Sequence, residues 1–136
     1  MIEDDEDAAE LLQLFLSHLG HTVTTQYSGA EALQAAENQR FDHILMDLTL
    51  PDYNGYDLAS ELKKKLPDAI LTIVSGHEAD SETMTTIGIN SALLKPVTKD
   101  DLASVVGWKV NYFAANLYRM SEVEQRIIKS KKILQT

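Results

Sequence analysis

His43-Ile-Leu-Met-Asp47 is a short apolar run that ends in a carboxylate, and Leu48-Thr-Leu-Pro51 and Asn54-Gly55 follow it. Polar and apolar residues do not alternate along Ile44 to Met46, so both faces of the segment ask for cover, as in a buried parallel strand. Pro51, Asn54 and Gly55 punctuate a loop, and Tyr56 to Leu66 reads as a helix closed by Pro67. Strand, loop and helix in this order form one half of a βαβ unit, which implies a layered α/β domain.

The same grammar extends in both directions. Upstream, Ala8, Leu11, Leu12, Phe15, Leu16 and Leu19 form an apolar stripe on a helix from about Glu6 to Leu19. Acidic residues crowd its first turn, where the helix dipole favours them, and Gly20 can supply a left-handed stop. Val23 to Tyr27 reads as a strand, and Ser28-Gly-Ala-Glu31 has capping-box spacing at the start of a helix through about Gln39. Downstream come an apolar run from Ala69 to Ser75, a Thr-rich helix over about 79–87 and a strand from Ser91 to Leu94. Lys95-Pro96 then breaks the chain before a helix beginning near Lys99. These make five βα units, although only Met1 and Ile2 stand ahead of the first acidic cluster. A central strand normally has about five or six residues, so either residues precede this one or it is unusually short.

Composition narrows the chemistry. The 136 residues make one domain's worth of chain, and there is no Cys, which removes disulfides, zinc ribbons, iron–sulfur clusters and thiol catalysis. Residues 1–100 carry a net charge of −12 and residues 101–136 carry +3. The acidic body repels phosphate backbones, so direct nucleic-acid binding is not expected. The longest uncharged stretch, Leu11 to Ala30, is too polar to span a membrane, and the acidic N-terminus is the opposite of a signal-peptide start. A cytoplasmic protein is expected.

In an open α/β sheet, ligands sit beyond the carboxyl ends of the strands. The residues at those ends are Glu3, Asp4 and Asp5, then Asp47, Ser75 and Lys95. Carboxylates gathered at one rim repel one another unless a cation lies among them, and an all-oxygen set suits Mg²⁺. Lys95 and Ser75 could hold two oxygens of a phosphoryl group, which makes Asp47 a candidate aspartyl-phosphate site.

Over roughly residues 1 to 115 the sequence resembles the response-regulator receiver domains of two-component signalling. The residues that carry the likeness are Glu3-Asp4, Asp47 with Pro51 and Gly55 at fixed distances, Ser75, and Lys95-Pro96. The resemblance implies a (βα)5 doubly wound, flavodoxin-like fold with a parallel five-stranded sheet in the order 2-1-3-4-5. It implies that Glu3, Asp4, Asp47 and the backbone carbonyl of Thr49 hold Mg²⁺, and that Asp47 accepts the phosphoryl group. Ser75 and Lys95 then bind phosphoryl oxygens, the Lys95–Pro96 peptide is cis, and the donor is a phosphohistidine on a histidine kinase or phosphotransfer protein. Such a domain is no enzyme beyond its own phosphorylation and dephosphorylation. Three residues before Lys95, where the family commonly has an aromatic switch, this chain has Ala92.

Other readings weigh less. His18, His21 and His43 are expected to pack or to face solvent, whereas His77, two residues after Ser75, is placed to tune the lifetime of a phosphate. Glu6 and Asp7 read as helix-dipole partners. A haloacid-dehalogenase-like phosphatase also uses a strand-end Asp nucleophile, but it places a second Asp two residues on, where this chain has Thr49. Residues 116–136 form a C-terminal extension beyond a receiver unit at 1–115. The stripe Leu102, Val106, Val110, Phe113, Leu117, Met120 predicts one long final helix, which could pack on the domain, form a homodimer or lead to attached domains.

Overall fold

The computed structural model describes residues 1–107. Helix α1 (Glu6–His18) is followed by α2 (Gly29–Asn38), β1 (His43–Asp47), α3 (Gly55–Lys65), β2 (Ile70–Ser75), α4 (Ser81–Ile87), β3 (Ser91–Leu94) and α5 (Lys99–Val106). The three strands are parallel in the order β1-β2-β3, with His43 opposite Ile70 and Thr72 opposite Ser91.

The expected five-stranded sheet is reduced to three strands and two bridges. Ile2 bridges Gln26 on one side and Met46 on the other, both in parallel. Among the described residues ahead of α1, Ile2 alone bridges on both sides, and the segment from Val23 to Tyr27 pairs with it only at Gln26. Ile2 is still firmly held: its N–H donates to Leu45 O at 2.7 Å and its carbonyl accepts Asp47 N–H at 2.8 Å. The spatial order Gln26, Ile2, β1, β2, β3 therefore follows from these bonds.

Alternation along the strands builds two cores. Ile44, Met46, Leu71 and Ile73 pack with Ala32, Ala36, Leu58, Ala59 and Leu62 from α2 and α3. Leu45 and Val74 turn the other way, onto Leu12 and Leu16 of α1 and Leu102 and Val106 of α5. Leu58, Leu71, Ile73 and Leu102 are fully buried, each contributing on the order of 1.5–3 kcal/mol. Covered on both faces, β1 and β2 need the continuous apolar runs that the sequence displays.

Capping chemistry sets the helix ends. The Asp5 side chain accepts N–H bonds from Asp7 and Ala8, Ser28 accepts from Glu31, and Asn54 accepts from Tyr56 and Asp57. Thr98 and Asp101 form a full capping box on α5. α5 stops at Val106 because Gly107 adopts φ 69° and ψ −170°, a conformation open essentially to glycine alone. The expected unbroken helix is thus interrupted after Val106, and the rest of its stripe, with the extension at 116–136, lies outside the described residues. Among the described residues, no helix is long and apolar enough to cross a membrane.

Candidate functional site

The ends of β1, β2 and β3 and the residue after the Ile2 bridge meet at one rim. Ile2, locked to β1, carries Glu3 to the side of Asp47. The Lys95 N–H donates to Ser75 O at 2.8 Å, which sets Lys95 beside the carboxylates, and the Lys95–Pro96 peptide is cis as expected. Its Nζ lies 2.8 Å from Asp47 Oδ2 and 3.4 Å from Glu3 Oε2. The other oxygens are also occupied: Asp47 Oδ1 accepts the Thr49 N–H at 2.8 Å, and Glu3 Oε1 accepts the Asp5 N–H at 3.1 Å. Glu3 and Asp47 are 2% and 5% exposed, so both carboxylates are withdrawn from water.

One oxygen from each of Glu3, Asp4 and Asp47 lies within 4.8 Å of the others. Three carboxylates faced by one ammonium leave the rim negative, and the electrostatics of Glu3 reflect this. Burial pushes its carboxyl above the ordinary range, and the Asp47 charge adds to the rise, while the Asp5 N–H and Lys95 pull the other way. For Lys95 partial burial opposes the charge, but its bond to Asp47, the Asp47 charge and then Glu3 outweigh that and hold the ammonium above its usual value. Two buried carboxylates and the exposed Asp4 thus form an all-oxygen cluster with surplus negative charge, a donor set of the kind that suits a divalent cation.

Glu3 sets a pH dependence. Its folded pKa is raised, so it contributes stability that is fully present below its ordinary value of 4.5 and lost as pH rises through the folded value. In metal-free buffer Glu3→Gln should therefore be more stable than wild type at pH 7, with the advantage vanishing as the pH falls through that window. Urea midpoints measured across pH check this; a variant less stable than wild type at pH 7 would contradict it.

The other residues singled out from sequence are placed as follows. Ser75 is buried at the end of β2, one residue past Val74, the partner of Asp47 in register, and its Oγ accepts the His77 N–H at 3.1 Å. His77 is exposed, and its backbone rather than its ring makes this contact. Thr49 is exposed and brings its N–H to Asp47. His21 packs edge-on to His43 with ring centroids 6.0 Å apart, and its Nε2 bonds the Gly107 carbonyl at 2.6 Å, a structural role far from the carboxylates.

Two residues near the rim went unread in the sequence. The Asp52 carboxylate accepts the N–H groups of Gly29 at 3.0 Å and Ala30 at 3.1 Å, capping α2 from the β1–α3 loop, and these bonds, Gly29 first, hold its pKa low. Tyr56 Oη accepts the Asp80 N–H at 3.0 Å, tying α3 to the start of α4. Both partners lie more than twenty residues away in sequence, so no local pattern announces them.

The response regulator receiver domain profile matches residues 1–107 of this chain. The chain belongs to the response regulator receiver domains. As such it is a phosphoacceptor module of two-component signalling. It is 32% identical over 108 residues to the transcriptional regulatory protein GlrR of Escherichia coli, covering 78% of this chain and 24% of that protein. The chain thus spans about a quarter of the length of that relative.

Two solved receivers bear on the rim. A response regulator from Burkholderia pseudomallei, with a phosphorylated aspartic acid, a calcium ion and citrate, is 25% identical with a TM-score of 0.71, covering 90% of this chain and 71% of that one. The receiver domain of a sensor histidine kinase from Pseudomonas aeruginosa has a magnesium ion coordinated in its active-site cleft. It is 28% identical with a TM-score of 0.67, covering 76% of this chain and 88% of that one.

Proposed function

We propose that Asp47 is the phosphoacceptor of this receiver, taking a phosphoryl group from a phosphohistidine on a histidine kinase or phosphotransfer protein and thereby changing what the domain binds. The observation that carries the reading is the Lys95 ammonium on Asp47 Oδ2, with buried Glu3 behind it and exposed Asp4 beside it. A carboxylate oxygen of Asp47 attacks phosphorus, and the P–N bond breaks. Its electron pair stays on the imidazole nitrogen, while a proton on the other ring nitrogen keeps the leaving group neutral.

Lys95 and Ser75 serve the same transfer. Lys95, already paired with Asp47 Oδ2, passes to a phosphoryl oxygen, and the Ser75 hydroxyl donates to another. Positioning and charge neutralisation supply most of the catalysis for this class of transfer. The donor set fits Mg²⁺, with Glu3, Asp4, Asp47 and the Thr49 backbone carbonyl to hold it. When bound, the metal supplies positive charge to the oxygens of the entering group. His77, above the rim, is assigned the tuning of phosphate lifetime.

The haloacid-dehalogenase alternative lacks its acid/base group, since Thr49 stands two residues after Asp47 where that class has a second Asp. Beyond its own phosphorylation and dephosphorylation the domain catalyses nothing further, and the −12 charge of residues 1–100 speaks against direct nucleic-acid contact. Residues 1–115 form the receiver unit in this reading, and 116–136 lead to a second copy or to attached domains, in the cytoplasm.

Incubation with a small phosphodonor and Mg²⁺, followed by intact mass, tests the proposal. A single phosphoryl adduct is expected with Mg²⁺, reduced at least tenfold in excess chelator. No adduct with Mg²⁺ present would refute it.

A further inference from the structure

The Thr-rich helix α4 has no buried residue, and its N-cap, Asp80, makes no side-chain bond to the helix backbone. The loop from Ser75 to Asp80 is anchored at its two ends. At one, Ser75 Oγ accepts the His77 N–H; at the other, Tyr56 Oη accepts the Asp80 N–H at 3.0 Å. Between them Gly76, Glu78 and the His77 ring are exposed, and a Cβ added at Gly76 would meet nothing within 4 Å.

Tyr56 is in turn tightly referenced to the acceptor. It follows Gly55, whose missing side chain lets α3 abut the backbone of Leu48, the residue after Asp47; a Cβ at Gly55 would lie 2.1 Å from Leu48 O. The Tyr56 ring packs against the core beneath α3. The usual aromatic lever on the last strand is absent, because Ala92 on β3 has no rotamer to change.

We propose that Tyr56 is a positioning residue for the phosphoryl response. Its hydroxyl holds the Asp80 end of the loop in the resting place, and this bond opens when Ser75 is drawn toward a phosphoryl group on Asp47. The proposal rests on Asp47 being the acceptor and adds the element that Ala92 leaves unfilled. A bond made in one state alone biases the equilibrium by its own strength, so its loss shifts the population toward the responding state. For an exposed neutral hydrogen bond the shift is about two- to fivefold.

The test uses the full chain with Mg²⁺ and beryllofluoride, reading both affinity and amide exchange at Asp80. In wild type, Asp80 exchange is expected to be slow at rest and to speed up with beryllofluoride. In Tyr56→Phe, which keeps the ring, it should be fast from the start, with beryllofluoride bound about two- to fivefold more tightly and the urea midpoint of the resting protein lowered by no more than the same small free energy. Asp80→Pro removes the donor from the other side at φ −75°, which suits proline, while Asp80→Ala keeps the N–H; tightening in the first alone is expected. Unchanged or weaker affinity in Tyr56→Phe, or unchanged Asp80 exchange, overturns the assignment. If wild type itself binds no beryllofluoride, the phosphoacceptor reading fails first; wild-type binding that Asp47→Asn abolishes, without a Tyr56 effect, overturns Tyr56 alone.

Discussion

Asp47→Asn is expected to take up no phosphoryl group from any donor, the largest functional loss available in this chain. The amide is isosteric but carries a single oxygen, so only one of Thr49 N–H and Lys95, which bond different Asp47 oxygens, keeps an acceptor, and no anionic oxygen remains to attack phosphorus. Stability should move the other way. In metal-free buffer the substitution removes one of two buried carboxylates that repel each other, while Lys95 retains Glu3 at 3.4 Å. A gain of about 1 kcal/mol is expected, and adding Mg²⁺ should cancel it by stabilising wild type more. Intact mass after phosphodonor treatment and urea denaturation with and without Mg²⁺ provide both readings. An adduct of wild-type yield in the variant would move the acceptor elsewhere.

Gly55→Ala is expected to cause the largest structural loss. The added methyl would lie 2.1 Å from Leu48 O and 2.8 Å from Leu48 C, and backbone cannot swing aside as a flexible side chain does. Either the first turn of α3 moves or the strand end carrying Asp47 moves, at a cost of about 3 kcal/mol. Phosphorylation should slow at the same time, because Leu48 sits between Asp47 and the Thr49 N–H that holds it. Gly76→Ala, with open space around the new carbon, should stay within about 0.5 kcal/mol of wild type. Equal destabilisation of the two variants in urea would show that close approach at Gly55 is not what the position requires.

The two predictions mark the boundary between what pattern reveals and what geometry adds. Asp47 is legible because it ends an apolar run in a chain that alternates strands with amphipathic helices, and such ends collect at one rim. Gly55 is legible as turn punctuation, but its role as a contact point with the Leu48 backbone is not. For the first strand the sequence left two readings open, residues ahead of it or an unusually short strand. That Ile2 alone could still lock Glu3 beside Asp47, through bonds to Leu45 and from Asp47, needed the structure. The interruption at Gly107 shows the converse: an apolar stripe running through it predicts continuity, and a single backbone conformation ends the helix.

By itself, the sequence determined the α/β class, the bounds of β1 to β3 and of α1 to α4 to within a residue or two, and Glu3, Asp4, Asp47, Ser75 and Lys95 as strand-end residues of one rim. These follow from local periodicity, capping residues and order along the chain, all of which act over a few residues. Tertiary structure alone decided that Lys95 pairs with Asp47 more closely than with Glu3, that Asp52 caps α2, and that Tyr56 holds the start of α4. Each of these joins groups more than twenty residues apart. Their meeting depends on how two cores stack the helices on the sheet, since hydrogen bonds and ion pairs form only over the last few ångströms, after packing has placed their partners.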